Sequence, residues 1–492
     1  MLLCAFSVRF PAIPQPYLWL DEAWRAYSIA STHSPSSLIE YAAQEHLIFL
    51  LSEWVLGKIG LLVFGKTELA FRIWPLLFAL LGLVGVYLFL SRVSTSAAAL
   101  LATLLISLGY GFIRHSREFK PYALDLTLTA WTLYAAVRIP LHQREQKNIL
   151  LVFMLHLFAV SSLVFAFVFP AVVAYRFRQT TPRTVFDFLL IVSPIVVFFL
   201  TYLFFFRPQM SDAALQRFWA AYFANSPEQI AFLIGEGDKF ITQFFPLGGF
   251  VGILFYCVLL PLLSLRNRDG VWLLLLVSFG VQIVASAVGL YPLFHRPSYY
   301  LYGLIVIAFA YVVGALSQEL AKKSRLLQDV LGICAIVGIV GYLVSTILLT
   351  QAVKRVRAWP SEQGRAAFSV LADRFESGDI LKINYAAYFP FQFYKDIAFH
   401  SNPALMAMYV ERHHALNDRT RSSLCHTFKA QSADISVGDR VWFLTTHVDH
   451  AYQHYVAVLS QMGQVRVIVG DMHQGLIVLE VTQSPAKLVC YP

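Results

Sequence analysis

Asp21 and Glu22 stand side by side in the run Leu18-Trp-Leu-Asp-Glu-Ala-Trp24, at the margin of a chain otherwise dominated by apolar stretches. Ionised groups near a bilayer boundary lose hydration, so they persist where they pair, bind an ion or move a proton. A carboxylate within hydrogen-bond reach of a hydroxyl can take its proton, which makes paired acids at a membrane mouth candidates for general-base work. The plainer reading is a helix cap, because acids favour the first turn of a helix.

The elements that must hold these acids are membrane spans. Hydrophobic residues make up 58% of the 492 and charged ones only 14%, with 41 Phe, more than a soluble core of that size needs. The net charge of +9 comes from Lys and Arg in short clusters between apolar runs. That is how orientation signals are distributed, and no basic stripe with interleaved aromatics points to nucleic acid.

Apolar stretches run over about 74–91, 97–113, 122–137, 148–161, 163–177, 185–206, 247–264, 271–290, 298–316 and 327–350. Most approach the roughly 20 residues that a spanning helix requires. The fourth and fifth are parted only by Ser161-Ser162 and read as two short helices, a single broken helix being the alternative. Every second connection is basic: Arg92, then Arg138, Arg144 and Lys147, then Arg176, Arg178 and Arg183, then Arg266 and Arg268, then Lys322, Lys323 and Arg325. The positive-inside rule puts those in the cytoplasm, with Asp21, Arg114–Lys120, 207–246, Tyr291–Pro297 and everything after about 351 outside. This parity needs one more span before Asp21, yet residues 1–10 are too short to cross, as a truncated first helix or a start placed too far downstream would leave them.

The expected fold is therefore a mainly α-helical polytopic membrane protein of about 11 transmembrane helices, the first incomplete, over 1–350. Its first external loop, about 11–72, carries interfacial helices, since 22–64 mix apolar residues with Glu40, Glu45, His46, Glu53 and Lys58. From 351 to 492 charges become frequent and apolar runs shrink to strand length. Helices at Glu362–Glu376, Ala386–Lys395 and Ala451–Met462 alternate with strands at Asp379–Asn384, Arg440–Thr445, Val465–Val469 and Leu476–Val481, which reads as a small external α/β domain. Cys425 and Cys490 fall there, where an oxidising compartment would permit a disulfide. No Cys or His set has zinc-ligand spacing, and no phosphate-cradling glycine loop or Walker signature offers ATP or a nucleotide sugar a site.

Several segments together resemble one family. Trp19-Leu-Asp-Glu-Ala-Trp24 is similar to the first-loop acidic motif of GT-C membrane glycosyltransferases. His46-Leu-Ile-Phe-Leu-Leu51 stands where bacterial members often read HPPLYYLL, without the prolines. Phe64-Gly-Lys-Thr-Glu-Leu-Ala-Phe-Arg72 resembles their FGxSExALR segment, and His115-Ser-Arg-Glu-Phe-Lys-Pro-Tyr-Ala-Leu-Asp125 resembles the pattern S-x-E-x-K-x-Y-x-x-D. The resemblance covers most of residues 15–140, with weaker support at Tyr291–Arg296 and Gly438–Trp442. It extends to the bacterial family 39/83 type, with protein O-mannosyltransferases, lipid A aminoarabinose transferases and rhizobial lipopolysaccharide galacturonosyltransferases as broader relatives.

The resemblance implies inverting transfer of a sugar from a polyprenyl-phosphate carrier to a cell-envelope acceptor (lipid, glycan or protein) on the outer face of the bacterial inner membrane. Asp21 matches the family's catalytic acid and would serve as base, with Glu22 positioning it or the acceptor. The departing lipid phosphate needs cations. Arg117, Lys120 and Arg296 lie on external segments beside Tyr122, Tyr299 and Tyr300, and an Arg fork suits phosphate best, so Arg296 leads. Glu118 and Asp125 would hold those cations or, alternatively, contact sugar hydroxyls. His46 reads as a hydrogen-bonded helix end and Arg72 as the i,i+4 partner of Glu68. No cofactor is expected, although some GT-C enzymes use a divalent metal. Arg117 and Lys120 also fit snorkelling anchors with headgroup contacts.

The competing class is a transporter or flippase of lipid-linked saccharides, which would also need external cations and a lipid groove. Few acids or bases lie at mid-depth in 74–350, and no broken-helix repeat appears in two matching halves, which disfavours it. A binding or assembly protein anchored by the membrane part would not need so many spans.

Overall fold

In the computed structural model, the described residues are 2–10, 18, 20–45, 47–138, 149–179, 185–210, 213–241, 270–293, 296–322, 338, 341, 364–407, 412–413, 425–426, 428–429, 434–446, 452–470, 474–485 and 488–490. The chain divides into two compact units, Met1–Ile13 with Thr32–Thr350 and Pro14–Ser31 with Gln351–Pro492.

The first unit is helical. Glu68–Val93, Tyr122–Arg138, Ile149–Ser161, Phe165–Gln179, Val271–Ala287 and Tyr299–Ala321 follow the apolar runs of the sequence, and Val185–Thr201 continues through a π-helical turn at Tyr202–Phe206. Such segments satisfy every backbone group internally, which is what hydrocarbon demands. Among the described residues, three helices are long and apolar enough to cross a membrane: Glu68–Val93, Ile191–Met210 and Tyr299–Ala321. Ser96–Leu108, Leu150–Ser161 and Val271–Ala287 are apolar but shorter. The runs at 247–264 and, Gly338 and Gly341 apart, at 327–350 lie outside the described residues. The run at 97–113 is not one helix: Ser96–Leu108 stops, and Tyr110–His115 restarts after Gly109 turns the chain.

Small residues let these helices approach closely. A Cβ on Gly82 would lie 2.8 Å from Thr127 Oγ1, and one on Gly303 would collide with Leu126. The Tyr122–Arg138 helix is thus gripped on two sides, by Glu68–Val93 and Tyr299–Ala321. Its register is pinned by polar contacts: Thr127 Oγ1 lies 2.5 Å from the Phe78 carbonyl and Trp131 Nε1 donates to Leu81 O at 2.9 Å. Residues at its first turn, Tyr122 and Asp125 among them, inherit that rigidity.

Ser161-Ser162 does divide two helices. The Ser162 amide closes the first by donating to Phe158 O at 3.0 Å, and the Ser162 hydroxyl accepts from Val164 N at 3.0 Å at the entrance to the second. Between Pro35–Gln44 and Leu51–Phe64 the chain is extended over 47–50, where Phe49 N donates to Gln209 Oε1 at 2.7 Å and Leu50 N to Glu53 Oε2 at 2.8 Å.

The second unit is a five-stranded sheet of order β2-β1-β3-β5-β4 with helices, β1 being Ile380–Asn384, β2 Arg412–His413, β3 Arg440–Thr446, β4 Gly463–Gly470 and β5 Gln474–Val481. β1 runs parallel to β2 and β3, and β3–β5 and β5–β4 are antiparallel. The helices Gly364–Arg374, Tyr385–Ala398 and Tyr452–Leu459 match the sequence reading. Asn384 joins strand to helix: its Oδ1 accepts from Ala387 N at 2.9 Å as the cap, and its Nδ2 donates to Thr446 O on β3 at 2.8 Å. Cys425 and Cys490 form a disulfide beside the core of Val441, Phe443, Tyr455 and Leu479.

Candidate active site

Two segments of the first unit converge on His115. Its ring meets Tyr122 edge-on at 5.0 Å and Tyr299 at 5.1 Å, and Tyr299 also packs on Phe112 at 5.2 Å. The His115–Asp125 segment and the start of the Tyr299–Ala321 helix therefore come together. Arg296 lies in the turn that feeds this helix, its carbonyl accepting from Tyr299 N at 3.2 Å, and its positive field reaches His115.

The electrostatics differ from the sequence reading at Glu118 and at Asp125. Glu118 does not hold Arg117, Lys120 or Arg296; it accepts from Arg114 Nε at 2.8 Å and from His115 Nδ1 at 3.0 Å. The reason is local: the Tyr110–His115 helix ends here, and spacings of three and four residues bring His115 and Arg114 onto the side of Glu118. Burial pushes the Glu118 carboxyl up, but His115 and Arg114 outweigh it and hold it well below the usual carboxylate range. Burial pushes His115 down, against the opposing pull of the Glu118 charge and hydrogen bond. An ionised carboxylate only accepts, so Nδ1 carries the proton it shares with Glu118.

Asp125 likewise pairs with no cation among the described residues; its Oδ1 accepts from Ser162 Oγ, and Glu53 lies within its electrostatic reach. Arg117 and Lys120 occupy the turn between the two helices and are half-buried, and Arg72 is buried in Glu68–Val93. His46 lies outside the described residues.

Arg9 sits behind this cluster, 1% exposed, and donates to Ser107 O at 2.7 Å, Ile106 O at 3.3 Å and Ala5 O at 3.1 Å. The last carbonyls of Ser96–Leu108 lack intrahelical partners and form the negative end of the helix, so a guanidinium suits them. It thereby secures the turn at Gly109 that aims Arg114 and His115.

Asp21 and Glu22 belong to the second unit, in the first turn of Leu20–Ser31. Glu22 is buried and Asp21 half-buried, with Arg25 one turn along. The helix rests on Tyr385–Ala398: Trp24 stacks on Phe389 at 4.6 Å, Tyr27 meets Tyr388 edge-on at 6.4 Å, and Leu18 N donates to Tyr394 Oη at 2.8 Å. Among the described residues, no three His, Cys, Asp or Glu side chains gather as a metal site.

Sequence reasoning missed Arg9, Arg114, Ser162 and the hub role of His115. For His115 a signal existed, the His-x-x-Glu spacing within a segment already singled out. For Arg9 none did, because it ends an apolar run too short to assign.

No protein-family model matches the chain, and no curated protein matches it in sequence. Solved structures do match. The oligosaccharyltransferase of Archaeoglobus fulgidus tethered to an acceptor peptide superposes with a TM-score of 0.55 at 13% identity, over 96% of this chain and 72% of that one. Its apo form gives 0.52 at 12% identity, over 93% and 70%. ArnT from Cupriavidus metallidurans bound to undecaprenyl phosphate aligns over 97% of both chains at 13% identity with a TM-score of 0.48. At these identities the likeness is one of fold: the chain shares the fold of the archaeal oligosaccharyltransferase.

Proposed function

We propose that the protein transfers a sugar from a polyprenyl-phosphate carrier to a cell-envelope acceptor, at the external face and with inversion. The observation that carries the reading is the meeting of Tyr122, Tyr299 and the Arg114–Glu118–His115 group, with Arg296 beside them, inside a unit of GT-C fold. Buried, mutually fixed polar groups are costly in an apolar unit and fit a bound polar headgroup better than bare anchoring. A structure of the archaeal oligosaccharyltransferase holds a dolichol-phosphate, a lipid phosphate of the kind these residues would meet.

In this reading the acceptor hydroxyl attacks the anomeric carbon while Asp21 takes its proton, and Glu22 positions Asp21 or the acceptor. The bond from sugar to phosphate oxygen breaks as the new one forms, so negative charge grows on the lipid phosphate. Arg296, Arg117 and Lys120 would meet it, with Tyr122 and Tyr299 donating hydrogen bonds. The disulfide supports an oxidising, external side for the second unit.

The test is Asp21→Asn with product formation and carrier-lipid binding measured together. Lost product with retained binding supports the reading; full turnover removes Asp21 as the base. Lipids that accumulate when the gene is deleted would identify the donor by mass spectrometry. The reading needs no divalent ion, and turnover abolished by chelator and restored by one such ion would reverse that part.

A further inference from the structure

The second unit presents a cleft of about 340 Å³ on one face of its sheet. We infer that this cleft binds a neutral saccharide, the carbohydrate portion of the acceptor, an inference that rests on the glycosyl-transfer reading above. The strand register builds it. Arg440, Glu480 and Gln464 form one row across β3, β5 and β4, and Trp442, Val478 and Arg466 form the next. The intervening residues, Val441, Leu479, Phe443 and Ile477, point to the other face and into the core closed by the disulfide segment. The end of Gly364–Arg374 supplies the wall, with Asp373, Arg374 and then Glu376.

Three guanidinium groups (Arg374, Arg440, Arg466) face three carboxylates (Asp373, Glu376, Glu480) around this lining. Their charges cancel, so the cleft offers interleaved donors and acceptors with no net attraction for an anion. That is the pattern a polyhydroxylated neutral ligand uses, since each hydroxyl both donates and accepts. Trp442 and Val478, both buried, lie at its base and make that part of the lining apolar. The size lies at the small end of ligand pockets, which run from about 300 to 1,000 Å³.

One donor is held in advance. Arg440 gives Nε to Asp379 Oδ1 at 2.7 Å and Nη2 to Asp379 Oδ2 at 2.8 Å, and Glu376 Oε2 lies 3.1 Å from Nη2. The same Asp379 Oδ2 accepts Trp442 Nε1 at 2.8 Å. Among the described residues Nη1 of Arg440 makes no hydrogen bond, so a guanidinium edge fixed on two sides keeps its remaining donors for a ligand. A rigid donor loses little freedom on binding. A merely solvated charged face would not need this clamp.

The experiment uses the full-length protein in nanodiscs and saturation-transfer NMR against neutral tetrasaccharides built from glucose, mannose, galactose or N-acetylglucosamine, with tetragalacturonate and inorganic phosphate beside them. At least one neutral tetrasaccharide should bind. Gln464→Ala and Arg466→Ala, both at exposed positions that leave folding intact, should each weaken it about tenfold, the loss of one hydrogen bond to a charged or fixed partner. No neutral binding, equal binding in both variants, or preference for tetragalacturonate overturns the proposal. Because binding is read without turnover, an active Asp21→Asn would remove the catalytic reading while leaving this result standing.

Discussion

Ser162 donates its hydroxyl hydrogen to Asp125, 37 residues earlier in the chain, tying the break between Ile149–Ser161 and Phe165–Gln179 to the first turn of Tyr122–Arg138. Both groups are buried. Removing the donor leaves an acceptor without its partner in an apolar setting, at a cost of about 1–3 kcal/mol. Ser162→Ala should lower the thermal midpoint in nanodiscs. In a double-mutant cycle with Asp125→Ala, which removes the acceptor, the two losses should not add, because they sever one interaction. Strict additivity would mean that the bond contributes nothing.

Acid should weaken the first unit in two steps. Both His115 and Glu118 sit below their ordinary values when folded. The unfolded chain takes a proton on the imidazole near pH about 6.5 and on the carboxyl near about 4.3. Below each of these values the unfolded state binds more protons than the folded one, so stability falls with pH. Glu118 therefore contributes fully above the carboxylate range and loses its contribution as pH drops towards its lowered folded value. His115→Gln should remove the upper step and keep the lower. Thermal midpoints from about pH 8.5, about two units above the imidazole value, down to about pH 2.3, about two units below the carboxylate value, would show both steps, and a variant that tracks the parent throughout would refute the assignment.

The α/β unit was legible because its strands and helices are short and differ in period. Arg-Val-Trp-Phe-Leu-Thr at 440–445 has the apolar run of a buried strand, and the structure extends it by one residue to Thr446. The helical runs of the membrane unit were equally plain from length and hydropathy. Pairing partners were not legible: no local pattern says that β5 lies between β3 and β4, nor that the two-residue β2 exists. Nor does the sequence near Asp21 reveal that its helix stacks on Phe389, since Trp24 reads as an ordinary interfacial aromatic. Tyr122 and Tyr299 were singled out by residue type, whereas the pairing of Glu118 with Arg114 depends on where the helix breaks at Gly109, a turn hidden inside one apolar run.

The Cys425–Cys490 bridge closes a loop of 65 residues. Loop-closure entropy predicts stabilisation of about 4 kcal/mol for that length. Reductant, or Cys425→Ser with Cys490→Ser, should lower the unfolding midpoint of the second unit. In the double variant reductant should have no further effect. A bridge that is absent in protein from its native membrane, by thiol labelling under denaturing conditions, would contradict both expectations.

Arg296 separates a phosphate clamp from a surface anchor. Its turn feeds the N-terminus of Tyr299–Ala321, where the helix dipole favours an anion. If it grips the lipid phosphate as the bond breaks, Arg296→Ala should lower kcat/KM for the donor by about 10- to 150-fold, the loss of a charge-assisted hydrogen bond of about 1.5–3 kcal/mol. Arg296→Lys keeps the charge but not the fork, so it should restore only part of that loss. An anchor behaves otherwise: Lys would replace Arg fully, and the donor's kcat/KM would follow the amount of folded protein in the membrane. The comparison is kinetic, at matched protein levels, and equal activity of the Lys variant and the parent would place Arg296 outside the phosphate contact.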